Sequence, residues 1–225
     1  MQPSGRGYDH GVSTFSPDGR LYQVEYARES VKRGTTTVGL ICKEGVVLIV
    51  DKRIHSKLVI SDSIEKMYQI DNHIGMTTSG LVADARQLVD RARVQCQVNR
   101  MTYGAEIPVS TLVKKMCDYK QSFTQYGGAR PFGTALLIAG MDSEGFHLFE
   151  TDPSGAYQSY NAGAIGRGKS AVVDFFEEKL FLKLIDQYLS LLFSLLVRVK
   201  ADDVNSLDTM DRLNFQKRYC TNQKL

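Results

Sequence analysis

The stretch Gly34-Thr35-Thr36-Thr37-Val38-Gly39 places three consecutive threonines after a glycine, with Asp51 sixteen residues beyond Thr35 and Lys66 a further fifteen on. A threonine that begins a chain can use its own α-amine as general base for its hydroxyl, with a carboxylate and a lysine tuning the proton transfer. That chemistry requires a free amine, and thirty-four residues precede Thr35. The residues support two readings: a nucleophile released by self-cleavage, or a threonine that opens a β-strand.

A second motif, Gly163 to Ser170 (GAIGRGKS), satisfies the pattern G-x-x-x-x-G-K-S/T, in which backbone N–H groups and Lys169 would cradle phosphates. Only 55 residues follow Ser170, and none forms a clear apolar strand ending in Asp to hold magnesium. A glycine turn opening a packed helix is the alternative. His10, His55, His73 and His147 are scattered, without metal-ligand spacing, so the sequence implies no metal and no cofactor. In Thr124 to Gly133 (TQYGGARPFG), paired glycines followed by Arg130 and Pro131 specify a tight, exposed turn.

Elements must position these residues. Leu21, Val24, Ala27 and Val31 make one face of a short leading helix, with Asp18 as its N-cap and Gly34 as its stop. Residues 35–42 and 45–54 are β-branched runs that read as a hairpin, and 67–73 and 74–80 as a second pair. Residues 82–99 and 109–124 have helical apolar spacing, with Pro108 just ahead of the second. Strands follow at 134–142, 145–152 and 156–165, then helical residues 169–179 and 180–199. Strands arriving in hairpins predict antiparallel sheets. Two stacked sheets, each covered outside by a helix pair, give an α+β, four-layer αββα sandwich, the architecture of N-terminal-nucleophile hydrolases.

With 225 residues the chain suits one domain with a full core, and 43% hydrophobic and 24% charged residues exclude a disordered or fibrous class. A net charge of +3 is too small to indicate nucleic acid or an anionic membrane. Cys42, Cys96, Cys117 and Cys220 lack a CxxC spacing and read as reduced thiols of a cytoplasmic protein. The polar, glycine-rich start has no signal-peptide pattern. Residues 180–197 are apolar but carry Lys183, Asp186 and Gln187 on a helical stripe, which favours an amphipathic helix over a membrane span.

Residues 8–39 (YDHGVSTFSPDGRLYQVEYARESVKRGTTTVG), and above all FSPDGRLYQVEYA, resemble the signature of α-type subunits of the 20S proteasome in its archaeal form. SIEK, TSGLVADAR, TQYGG and RPFG agree in order and spacing, and the resemblance runs from about Tyr8 to Lys179. It implies a noncatalytic subunit in which Thr35 and Asp51 are relics, residues 1–34 are a gating tail and leading helix, and residues 35–225 are the sandwich. Such subunits form outer heptameric rings with neighbouring α subunits, cap rings of β subunits, and control the passage of unfolded protein substrates.

Position by position, the resemblance assigns Tyr8, Asp9, Pro17, Glu25 and Tyr26 to the gate. Gly34, Lys66 and Leu81 match the pocket that receives the C-terminal tails of an activating ATPase ring, where a lysine would pair with the incoming carboxylate. Tyr126, Gly127 and Gly128 match the loop lining the axial pore. His10 stands where the family has arginine, and the residues after Lys179 depart from its pattern.

Overall fold

A computed structural model of the chain describes residues 11–54, 56, 58–60 and 63–180. Helix α1 (Tyr22–Arg33) is followed by β1 (Thr37–Cys42), β2 (Gly45–Val50), β3 (Met67–Asp71) and β4 (Ile74–Gly80). Helices α2 (Val82–Tyr103) and α3 (Val109–Gln125) come next, then β5 (Thr134–Asp142), β6 (Gly145–Thr151), β7 (Tyr157–Ser159), β8 (Ala162–Ile165) and α4 (Lys169–Leu180). Every strand pair is antiparallel; one sheet has the order β2-β1-β8 and the other β3-β4-β5-β6-β7.

Alternation along β5 shows how the layers form. Leu136 and Ile138 join Met76, Leu88, Leu112 and Met116 in a core between the larger sheet and α2/α3. Their neighbours Ala135, Leu137 and Ala139 point the other way and pack with Leu48, Leu148 and Ile165 between the two sheets. Val38, Leu40 and Ala164 close the third interface against Val172 and Phe176 of α4. The layers are α2/α3, large sheet, small sheet and α4: the expected αββα sandwich. The helix expected at 180–199 lies outside the described residues.

Two expectations are corrected. Asp18 does not cap α1: Ser16 to Gly19 form a turn in which the Gly19 N–H donates to the Ser16 carbonyl at 2.9 Å and Gly19 has φ 73°, and Leu21 precedes the helix without a side-chain cap. The strand expected over 156–165 is two strands, because β7 pairs with β6 in the large sheet and β8 crosses to β1 in the small one.

Candidate functional site

The end of α1, the start of β1 and the end of β4 converge on Thr35. Gly34 closes α1 with its N–H on the Val31 carbonyl at 3.0 Å. A Cβ at Gly34 would stand 2.2 Å from Ser79 Oγ and 2.5 Å from the Gly80 nitrogen, so glycine is needed for this close approach rather than for an unusual φ. The Ser79 hydroxyl lies 3.2 Å from the carbonyls of both Val31 and Thr35, tying helix end and strand start to β4.

The Thr35 hydroxyl donates to the main-chain carbonyl of Asp51 at 2.8 Å. The sequence reading placed the Asp51 carboxylate in this role; the structure uses its backbone, and the Asp51 N–H in turn donates to the Thr36 carbonyl at 3.0 Å. Lys66 is buried, and its ammonium donates to Thr35 Oγ1 and to the Thr35 carbonyl, the latter at 3.4 Å. Burial pushes the Lys66 amine down to about 8, partly opposed by the negative charge of Asp51. A hydroxyl beside a lysine of lowered basicity has the ingredients of a nucleophile and a base. The nitrogen of Thr35, however, belongs to the Gly34–Thr35 peptide bond, and the Gly34 carbonyl is held by the Arg167 N–H at 3.0 Å.

The Gly163 to Ser170 motif packs against this same point. Gly166 has φ 95°, and a Cβ there would meet the Thr35 carbonyl at 2.5 Å. The N–H groups of Arg167 and Gly168 donate to the Gly34 carbonyl and to Thr36 Oγ1, the latter at 2.9 Å, while Lys169 pairs with Glu150. The donors that a phosphate would need are therefore engaged, and β8 lies antiparallel to its neighbour rather than in a parallel sheet. The motif buttresses the α1–β1 junction, in keeping with a glycine turn that opens a packed helix rather than with a phosphate site.

An open groove of about 630 Å³ runs beside the junction, lined by Tyr26, Glu29, Ser30, Arg33, Gly34, Gly80 and Leu81. Gly34 and Leu81 both line this groove. Lys66, the third residue of that assignment, is buried against Thr35 and is not among the residues that line the groove. Leu81 is 45% exposed and Tyr26 is 52% exposed, so apolar surface faces solvent here. Sequence reasoning gave Ser79 no role, although it lies within the TSGLVADAR motif.

Among the gate assignments, Tyr8 and Asp9 lie outside the described residues, as does His10. Pro17 is exposed in the Ser16–Gly19 turn, and Glu25 takes a bidentate contact from Arg20, which folds that turn against the first turn of α1. The ring of Tyr26 stacks on Tyr22 at 6.4 Å between centroids, and the Arg20 guanidinium lies 5.4 Å over Tyr22. Tyr126, Gly127 and Gly128 form an exposed tip after α3, and Gly128 has φ 91°. The base of that loop is fixed by Asp84, which accepts from Arg130 at 2.6 and 2.8 Å and from the Gly133 N–H at 2.8 Å. The Arg130 hydrogen bond, with help from Gly133, outweighs burial and holds the Asp84 carboxyl below its usual range.

The histidines are less isolated than the sequence suggested: donor atoms of Asp142, Glu144 and His147 lie within 4.8 Å of one another. The Asp142 carboxylate accepts from the N–H groups of Val109 and Glu144 and lies 2.9 Å from His147 Nε2, so the trio fixes the start of α3 against the β5–β6 turn.

Comparison with known proteins gives the geometry its context. A family model described as "Proteasome subunit" matches residues 31–203, and a second, describing the N-terminal signature of α-type proteasome subunits, matches residues 8–29. The chain is 66% identical over 171 residues to the proteasome α subunit of Methanosarcina acetivorans, covering 76% of this chain and 69% of the relative. It is 62% identical over 180 residues to that of Methanosphaerula palustris (80% and 75%) and 62% identical over 173 residues to that of Archaeoglobus fulgidus (77% and 70%). Together with the two-sheet sandwich and the leading helix, these matches show that the chain belongs to the proteasome subunit family, in its α type.

Proposed function

We propose that this chain is a noncatalytic subunit of the outer heptameric rings of a 20S proteasome, where it shapes the entrance and docks an ATPase ring rather than cutting peptides. The observation that carries this reading is the match of residues 8–29 to the α-type N-terminal signature, together with the packing of helix α1, which that segment leads into, onto β4 and β5. Arg28 of that helix grips Asp152 at 2.9 to 3.2 Å, and Arg167 and Ser79 hold the Gly34 and Thr35 carbonyls at its end, an arrangement suited to a leading segment that is retained ahead of Thr35. Residues 1–34 act as gating tail and helix, and residues 35–225 as the ring-building sandwich. Pro17, Glu25 and Tyr26, with Tyr8 and Asp9, hold the tails away from the axis, and the Tyr126–Gly128 tip narrows the pore for unfolded substrates. The groove at Gly34 and Leu81 receives activator tails, with Lys66 as the cation for their carboxylate.

Exposed apolar residues support the assembly. Val94, Val98 and Met101 of α2 recur at helical spacing and are 45% to 88% exposed, an arrangement suited to a surface covered by neighbouring α or β subunits. The particle works in the cytoplasm and the chain itself takes no cofactor.

The test is intact mass of the purified chain, with peptidase activity measured alone and after mixing with a β-type subunit. A full-length mass, no activity alone, and gated activity in the mixture are expected. A mass lacking residues 1–34 with activity of the chain by itself would make Thr35 a working nucleophile and overturn the reading.

A further inference from the structure

We propose that Lys120 is a positioning residue for the Tyr126–Gly128 tip: from within the core it ties the helix that leads into the loop to the strand that leads out of it. This rests on the pore-lining role given above to that tip.

Three observations carry it. First, Lys120 stands where an apolar side chain would serve the fold. The buried stripe of α3 runs from Val109 through Leu112, Met116 and Cys117 to Thr124, and Lys120 is fully buried within it. Among the described residues, its ammonium donates to two uncharged acceptors, the Thr134 carbonyl and Thr151 Oγ1, each at 3.1 Å. A buried cation held by neutral groups is a poor source of stability, and burial works against its charge.

Second, the lysine bridges the two ends of the loop. Helix α3 ends at Gln125 and β5 begins at Thr134, so residues 126–133 join the two. Lys120 lies in the last two turns of α3, and Thr134 is where the chain re-enters the sheet. Thr151 of β6, whose Oγ1 also accepts from the Leu136 N–H at 3.3 Å, fixes the ammonium from the neighbouring strand. Third, a parallel tie leaves the alignment of the two limbs to this lysine. Phe123 packs edge-on against Phe132 at 4.7 Å between centroids, with Tyr119 5.1 Å from Phe123. Apolar contact is non-directional, whereas a hydrogen bond fixes distance and angle, so Lys120 sets where the limbs stand relative to each other.

Lys120→Met keeps the apolar stem and removes the donors. Met116→Ala, one turn earlier on the same stripe, opens a cavity in the same core without removing a bond to Thr134. Full-length chains would be assembled with a β-type subunit, and hydrogen exchange read in residues 126–134 and in α2. Lys120→Met is expected to speed exchange in 126–134 about tenfold relative to α2, the scale of one hydrogen bond to a charged group. Met116→Ala should leave that ratio within about twofold of wild type. In the same particles, hydrolysis of casein relative to a short fluorogenic peptide should rise about threefold in Lys120→Met, because a slack tip relieves long chains more than short ones.

Two outcomes overturn the proposal and leave the pore role intact: loop exchange in Lys120→Met that matches wild type, or a Met116→Ala loop that loosens as much, which would make Lys120 one core residue among others. A Tyr126→Ala particle that handles casein and peptide in the wild-type ratio, or a loosened Lys120→Met loop that does the same, would instead remove the pore role. Should Lys120→Met fail to assemble, Thr151→Val, which keeps the shape and removes one acceptor, is expected to speed loop exchange about threefold and is judged by the same two outcomes.

Discussion

At the residue scale, Asp84 shows how one side chain can hold a functional loop. Its carboxylate serves two donors from the segment after the Tyr126–Gly128 tip, the Arg130 fork and the Gly133 N–H. Arg130 is largely in solvent, so the bonds from the fork count for little, whereas the Gly133 N–H is buried and would be left without its acceptor. Asp84→Ala is therefore expected to cost about 2 kcal/mol, read by urea unfolding, and to loosen the loop, read by faster proteolysis near Tyr126. The folded carboxyl lies below its unfolded value, so this contribution is complete above the ordinary carboxylate range and is lost as pH falls through the lowered value. A wild-type acid limb as steep as that of Asp84→Ala would contradict the assignment. The same scale shows what residue spacing can disclose. Thr35 and Lys66 were legible as partners and do touch, but the use of the Asp51 backbone in place of its carboxylate was not, because strand pairing decides which group of Asp51 faces Thr35.

At the element scale, the docking of α1 on β4 depends on Gly34. A methyl group there would collide with Ser79 Oγ and with the backbone of Gly80, and backbone cannot turn aside as a side chain can. Gly34→Ala is expected to cost about 3 kcal/mol through overpacking and to raise hydrogen exchange in α1 more than in α2. Gly127→Ala, with open space around its position, should change stability by less than about 0.5 kcal/mol; equal losses for the two would refute the packing argument. The elements themselves were largely legible, since period-two runs and helical spacing mark β1 to β6 and α2 to α4 directly. What failed had a physical cause. Alternation identifies a strand but not its sheet, so the passage from β7 to β8 at Tyr160 and Asn161 was invisible. Ser-Pro-Asp-Gly offers a turn and an N-cap at once, and the turn prevailed because Gly19 supplies its left-handed residue.

At the scale of the whole molecule, four buried groups shape the alkaline stability of the fold. Lys66 and Lys120 are both pushed down to about 8, chiefly by burial; Lys120 donates to the Thr134 carbonyl and Thr151 Oγ1, each at 3.1 Å. Their ordinary value is 10.5, so between about 8 and 10.5 the unfolded chain binds more protons than the folded one. The destabilisation they cause is complete below about 8 and lifts as pH rises. Cys96 and Cys117 act in the opposite sense: burial pushes both thiols up to about 11 from 9.0, so above 9 the unfolded chain releases protons that the folded one keeps, and stability falls. Chemical denaturation from pH 7 to 10 should therefore give a curve that rises past pH 8 and turns over above pH 9. Lys120→Met removes one source of the rise and leaves the thiols, so its curve should climb less and turn down earlier. A Lys120→Met curve parallel to wild type through pH 8 to 9 would show that Lys120 stays charged inside the sandwich. The same pH range frees Lys66 of the charge proposed to receive activator tails, so the fold would gain stability from this lysine in the conditions that weaken its docking. Peptide binding that declines above pH 8 while the particle stays assembled would separate these two consequences of one buried amine.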